Sequence, residues 1–329
     1  MSPPRLNPAL AALALAGFLA SLLAGPAGLS LADSVTGLFA GGSEAATAIM
    51  RDIRLPRALL GVSIGFALGL SGAALQGLLR NPMAEPGVIG VSAFSSLGAV
   101  AMFYTGVAGA AQWVLPAGAL AGALVAVAVL VALVARRSST LTLVLAGIAL
   151  GSLANALTAL ALNLSPNPFA AYEIMFWLLG SLADRSMAHV AAALPLIAVG
   201  AALLFASARA LDALSLGEEA AESLGVNLAR SRILIVVGVA LCVGAGVAVA
   251  GTIGFVGLVT PHLVRPLTSR LPGATLLPAA LAGAALLTFA DAAVRLIVTG
   301  RELNVGVATA LIGAPFFLWL VTRSRREAW

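Results

Sequence analysis

Only 9% of the residues in this 329-residue chain are charged, so the chemistry available to it is set by where those few charges stand. Asp291 lies inside an apolar run with Arg295 one helical turn on, an i,i+4 spacing that brings the two side chains to one helix face. A carboxylate at membrane depth is a candidate for a proton relay, and the neighbouring Arg makes an ion pair the simpler expectation. Arg54 and Arg57 flank Leu-Pro at the start of another apolar run, and Glu218, Glu219 and Glu222 cluster in the polar stretch Leu214 to Val226. All 18 basic residues are Arg and none is Lys, which excludes a Walker-type phosphate loop and a Schiff-base nucleophile. Cys242 stands alone, and His189 and His262 are far apart, so no thiolate cluster, disulfide or paired-ligand metal site is readable. No Ser/His, Cys/His or paired-Asp constellation points to an intramembrane enzyme. The pI near 10.9 comes without any aromatic-interleaved basic run, so nucleic acid is not an expected partner.

These residues must be positioned by membrane helices. With 61% hydrophobic residues and a mean hydropathy of +1.07, the chain cannot cover its own surface in water. Apolar windows of spanning length recur at 9–31, 58–79, 87–106, 113–134, 141–162, 189–207, 232–250, 256–268, 273–296 and 305–322. These ten windows predict an all-α polytopic membrane protein, a single transmembrane domain over 1–329 with both termini on one face. The eighth window is too short for a straight crossing of a ~30 Å hydrocarbon core and is expected to be tilted or re-entrant. Six arginines (Arg51, Arg54, Arg57, Arg185, Arg295, Arg301) fall on one face and the other twelve on the opposite face, which the positive-inside rule makes cytoplasmic. The first window can also be read as a secretory signal ending near Ser30-Leu31-Ala32, but its long apolar stretch and the spans that follow favour a helix that stays. The longest connections, an external loop of about 33–57 and an internal one of about 208–232, are too short for a soluble domain, so nucleotide hydrolysis must reside in another polypeptide.

Small residues at four-residue spacing, Gly61, Gly65 and Gly69 followed by Ser71-Gly72, predict one helix face for close backbone approach. Gly118 with Gly122 and Gly147 with Gly151 repeat the pattern. The prolines of Asn81-Pro-Met-Ala-Glu-Pro-Gly87 predict a sharp turn. Gly251 through His262 is too glycine-rich for a regular helix and too apolar for a solvated loop, and is expected to be broken backbone buried in protein.

Several ordered motifs carry a family resemblance. Arg54-Leu-Pro-Arg57, Ser71 to Ser92, Leu145 to Gly151, Trp177-Leu-Leu-Gly-Ser181, Leu216 to Gly225, Gly254 to His262, Ala290 to Arg295 and Gly313-Ala-Pro-Phe-Phe317 together resemble the FecCD permeases of iron-siderophore, haem and vitamin B12 ABC importers. The resemblance covers nearly the whole chain after the first span. It implies a ten-helix subunit of the vitamin B12 importer permease type, working as a homodimer with a cytoplasmic ATPase dimer and a periplasmic solute-binding protein in the bacterial inner membrane. It implies that the chain binds no cofactor of its own, the partner ATPase using ATP and Mg.

The resemblance also implies roles for three groups. Arg54, Arg57 and Arg295 match positions that receive carboxylates of the binding protein at an exposed docking rim, a task suited to the planar guanidinium fork. Glu218, Glu219 and Gly225 lie in the likeness of the coupling helix that rests on the ATPase; Ser215 is expected to cap it and Gly225 to end it. Asn81, Met83, Ser139, Thr140 and Leu141 match the cytoplasmic gate, with simple turn capping as the alternative for this group. Leu141 stands where relatives often carry a small hydroxyl residue. A stand-alone secondary transporter or channel is the rival reading; it would need paired acids or histidines across several spans, and only Asp291 offers one. Ferric siderophore is the first expectation for cargo, then haem, then cobalamin, since no ligand-specific group is present.

Overall fold

The computed structural model describes residues 5–39, 41–111, 113–135, 140–165, 168–297 and 303–324. Every regular element among them is helical. In chain order these are α1 (Leu6–Leu23), α2 (Leu31–Phe39), α3 (Glu44–Ala48), α4 (Leu55–Leu78), α5 (Val91–Tyr104), α6 (Val114–Ala135), α7 (Thr140–Asn163) and α8 (Pro168–Leu178). Then follow α9 (Met187–Ala206), α10 (Ala208–Leu214), α11 (Glu218–Ser223), α12 (Leu228–Ala250), α13 (Val256–Val264), α14 (Pro272–Ile297) and α15 (Val305–Ser324). Each of the ten apolar windows coincides with one helix. Among the described residues seven helices are long and apolar enough to cross a membrane, and α5 and the part Val305–Leu320 of α15 are shorter apolar helices.

The centre of the bundle is α4, nearly all of whose residues are buried between α14, α13, α12, α9 and α1. Its glycines explain why. A Cβ on Gly65 would stand 2.9 Å from Ala284 Cα, and one on Gly72 2.7 Å from Gly257 Cα, so α14 and α13 approach at backbone contact. Lipid offers no hydrophobic drive between helices, and this close packing supplies the attraction instead. Gly122 meets the backbone of α5 in the same way. Pro56 stands in the first turn of α4, directly after a π-helical turn at Ile49–Arg54 from which the helix continues.

Two crossings are broken. At ~1.5 Å per residue α5 is about 21 Å long and α13 about 14 Å, both short of the ~30 Å hydrocarbon core. Backbone outside the α-helices makes up the difference, 79–90 before α5, with a 3₁₀ turn at Pro86–Ile89, and 251–255 before α13. The expectation of irregular backbone from Gly251 to His262 holds for 251–255 only; 256–264 is α-helix, with Pro261 accommodated inside it. Gly251 at φ 72° ends α12, and Phe255 at φ 66° begins α13. The two breaks meet. Phe255 N–H donates to Glu85 Oε1 at 2.7 Å, Gln76 Nε2 donates to the carbonyls of Ala84 at 3.3 Å and Leu258 at 3.4 Å, and Arg265 donates to Gln76 Oε1 at 2.8 Å. A backbone N–H at the second break is thus held by a side chain of the first, and Gln76 of α4 holds one carbonyl beside each.

Candidate functional site

At one end of the bundle the short helix α11 stands between α10 and α12. Gly217 (φ 111°) opens it and Gly225 (φ 83°) closes it, both in backbone that glycine adopts freely. Ser215 does not cap α11 as expected; its hydroxyl donates back to Asp212 O at 2.6 Å and finishes α10. Asp212 in turn accepts from Gly273 N at 2.7 Å, tying α10 to the start of α14. Glu218 and Glu219 occupy the first turn of α11, where the helix dipole favours negative charge.

Glu218 is the residue that connects this helix to the rest. Its Oε1 accepts from Thr140 Oγ1 at 2.6 Å, and its Oε2 pairs with Arg232 at 2.8 Å. The Thr140 hydroxyl, together with Arg232, holds the carboxyl below the usual Glu range against the opposing effect of burial. Thr140 is the first residue of α7, so a residue expected to couple and a residue expected to gate share a hydrogen bond. Glu219 faces away and is exposed, and beside it Leu216 and Leu224 are 69% and 66% exposed, a mixed apolar and acidic face on α11.

The other expected gate residues distribute differently. Asn81 Oδ1 accepts from Met83 N at 2.9 Å, so Asn81 caps its own turn. Leu141 is 67% exposed. Ser139 lies outside the described residues. Among the described residues no hydrogen bond joins Asn81 or Met83 to Thr140 or Leu141.

The opposite end corrects the expectation of an exposed arginine rim. Arg54 is only 3% exposed and donates to Leu23 O at 2.9 Å. Arg57 is buried and binds Asp291 Oδ1 through two nitrogens, at 2.7 and 2.8 Å. Arg295 pairs with Asp291 Oδ2 at 2.6 Å, as the i,i+4 spacing predicts, and also donates to Ser21 O at 2.6 Å and Ala24 O at 2.8 Å. Ser21 completes the group by donating to Asp291 Oδ2 at 2.9 Å. The physical reason is the end of α1. Its last carbonyls have no intrahelical donor, and in an apolar setting the Arg54 and Arg295 guanidinium groups supply the missing hydrogen bonds, while the Asp291 carboxylate pairs with Arg295 and Arg57. The nearby exposed cation is Arg51, whose guanidinium caps α2 through Leu38 O and Phe39 O.

Sequence reading missed Glu85, Gln76, Arg232 and Ser21 as positioning residues. Glu85 carried a signal, an acid within an otherwise apolar, proline-bounded turn.

Comparison with known proteins agrees with this architecture. The FecCD transport family model matches residues 13–323. The chain is 42% identical over 280 residues to the cobalamin import system permease BtuC of Halobacterium salinarum, covering 84% of this chain and 74% of that protein. It is 41% identical over 275 residues to the vitamin B12 import system permease BtuC of Salmonella typhimurium, covering 83% of each. A solved inward-facing conformation assigned to a metal-chelate type ABC transporter superimposes with a TM-score of 0.84 at 30% identity, over 97% of this chain and 99% of that one. The broken crossings, the exposed short helix at one end and these matches lead to one conclusion: the chain belongs to the FecCD transport family and is a membrane permease subunit of an ABC importer.

Proposed function

We propose that this chain is the permease of a corrinoid importer. It works as a homodimer in the bacterial inner membrane, takes cargo from a periplasmic binding protein and is driven by a cytoplasmic ATPase dimer. The observation that carries the cargo is the identity of 41–42% over more than four fifths of the chain to two vitamin B12 permeases, which moves cobalamin ahead of ferric siderophore and haem. The likeness to a metal-chelate type transporter at 30% identity keeps those chelates as the second reading.

The geometry supports a mechanical route. The exposed Leu216, Glu219 and Leu224 of α11 offer an apolar and acidic contact to the ATPase, and Glu218 links the same helix to Thr140 of α7 and Arg232 of α12. Displacement of α11 by the ATPase is then delivered to the start of α7, where the inner gate opens. Asn81 and Met83 contribute to that gate through the turn that leads, by Glu85, to the break before α13. On the far side Arg54, Arg57 and Arg295 hold the ends of α1, α4 and α14 as the platform on which the binding protein docks. In this role they shape the docking face and do not reach out from it, while exposed Arg51 supplies a charge at the surface.

The test is cobalamin uptake by a strain lacking its own vitamin B12 permease, complemented with this chain and its partner ATPase and binding protein. Restored uptake of cobalt-labelled cobalamin is the expected result. Uptake of a ferric siderophore or haem with no cobalamin transport would overturn the cargo. For the docking face, Arg51→Glu is expected to weaken stimulation of ATPase activity by the binding protein while leaving basal hydrolysis unchanged; unaltered stimulation would remove Arg51 from the docking face.

A further inference from the structure

A second site lies at the end of the bundle opposite α11. A cavity of about 300 Å³ opens among helix ends: Phe103 near the end of α5, Leu115 at the start of α6, Glu173 and Trp177 of α8, and Asp184 and Arg185 just before α9. Two donors there are unmatched. Trp177 is 7% exposed and its indole N–H has no acceptor; Nε of Arg185 is likewise buried and unpartnered. Arg185 makes no hydrogen bond or ion pair with any described residue, although burial pulls its guanidinium below the usual arginine value and Asp184 opposes that shift. A buried donor left unmatched costs about 1–3 kcal/mol, so an acceptor that enters the cavity recovers that cost.

The lining restricts what that acceptor can be. Donors without acceptors call for an oxyanion, yet Glu173 and Asp184 place two carboxylates beside the one cation, which disfavours a plain anion. A zwitterion matches both signs. The apolar walls from Phe103 and Leu115 ask for a hydrocarbon attachment, and the position at the ends of α5, α6 and α8 is the level of lipid headgroups, where Trp and Arg are favoured. A volume of this size is at the lower limit of small-ligand pockets, too tight for a large chelate but adequate for a headgroup and its first methylenes.

We propose that this cavity binds a zwitterionic aminophospholipid of the phosphatidylethanolamine type. Its phosphate sits on Arg185 and the Trp177 N–H, its ammonium on Glu173 and Asp184, and its chains run along Phe103 and Leu115. This inference goes beyond the importer function and its readout is independent of cargo.

The test is native mass spectrometry and lipid extraction of the full-length permease with its ATPase, purified in mild detergent from mixed phosphatidylethanolamine and phosphatidylglycerol membranes. Wild type is expected to retain about one phosphatidylethanolamine per permease subunit. Arg185→Gln is expected to lower that retention at least about 5-fold and Trp177→Phe about 2-fold, while Glu173→Gln with Asp184→Asn shifts retention toward phosphatidylglycerol. The conservative Trp177→Phe and the acid variants keep the test decisive where Arg185→Gln fails to assemble. Equal retention of the two lipids by wild type, or undiminished phosphatidylethanolamine in the variants, would overturn the proposal. Soluble glycerophosphoethanolamine added in excess is the control for source: if it displaces the bound lipid fully, the headgroup alone is read and the claim of a lipid site falls.

Discussion

The two ends of the permease each carry a carboxylate, an arginine and a hydroxyl, and they put the same chemistry to opposite uses. Asp291, Arg57, Arg295 and Ser21 are sealed among α1, α4 and α14, with the carboxylate side chain only 1% exposed. Glu218, Thr140 and Arg232 form a similar set at the coupling end, but the Glu218 side chain is 33% exposed and sits on a six-residue helix. In the sealed cluster no water can replace a lost partner, so each member is needed to keep the others satisfied. In the open one, solvent reaches the Glu218 carboxylate although Arg232 is buried, so the contact can break and re-form at lower cost than in the sealed cluster. Burial thus separates a clamp that fixes the helix ends from a link that can take part in a conformational cycle.

The largest expected effect comes from breaking the clamp. Asp291→Ala removes the carboxylate shared by two buried guanidinium groups and is expected to cost about 3–5 kcal/mol, read as a sharply lowered yield and melting temperature of the purified permease. Adding Arg57→Met to it should recover part of the loss, and a double variant as unstable as the single one would refute the view that uncompensated charge is the cause. Glu85→Ala is next: the Phe255 N–H loses its acceptor, for about 1–3 kcal/mol, whereas Glu85→Gln keeps an oxygen there and should lie close to wild type. If both variants melt together, the hydrogen bond is not what holds the two breaks.

Smaller effects belong to the open cluster. Gly225→Val forces a β-branched residue into φ 83°, at roughly 1–2 kcal/mol of local strain, although a Cβ there would meet nothing within 4 Å. The expected outcome is a folded permease whose ATPase partner hydrolyses ATP with transport reduced several-fold; intact uptake would contradict a coupling role for that turn. Glu218→Gln keeps an acceptor for Thr140 and discards the ion pair to Arg232, so thermal stability should change by less than about 1 kcal/mol while transport per ATP hydrolysed falls. Acid should mimic that change in wild type. Because the folded Glu218 carboxyl lies below its ordinary value of 4.5, its contribution is complete above that value and is lost as pH falls through the lower folded value. A coupling ratio that declines well above pH 4.5 in wild type and in Glu218→Gln alike would assign the titration elsewhere.

The helices were legible because each of the ten apolar windows is long and continuous, and each coincides with a helix. What lacked such a run was not legible: α2, α3, α8 and α10 are short, and their positions follow from what they pack against. The small-residue stripe of α4 was readable from spacing alone, but that Gly65 faces α14 and Gly72 faces α13 was not. At the candidate site, the Asp291 to Arg295 pair lies within one helical turn and could be foreseen, whereas Arg57 is 234 residues away and joins only in the folded bundle. For the same reason Arg54, Arg57 and Arg295 read as a docking rim in the sequence and are buried in the fold. The acids of α11 and the turn at Gly225 were visible, and the contact of Glu218 with Thr140 was not.

The sequence by itself determined that the chain is an all-helical membrane protein, which family it belongs to, and that lysine chemistry is closed to it. Composition and local periodicity are sufficient for that, since the bilayer permits few backbone solutions and the absence of a residue type is absolute. Only the tertiary structure decided which charges are clamped and which are free to act. That outcome depends on burial and on which helix ends face one another, and both are set by long-range packing of small residues that no local window contains.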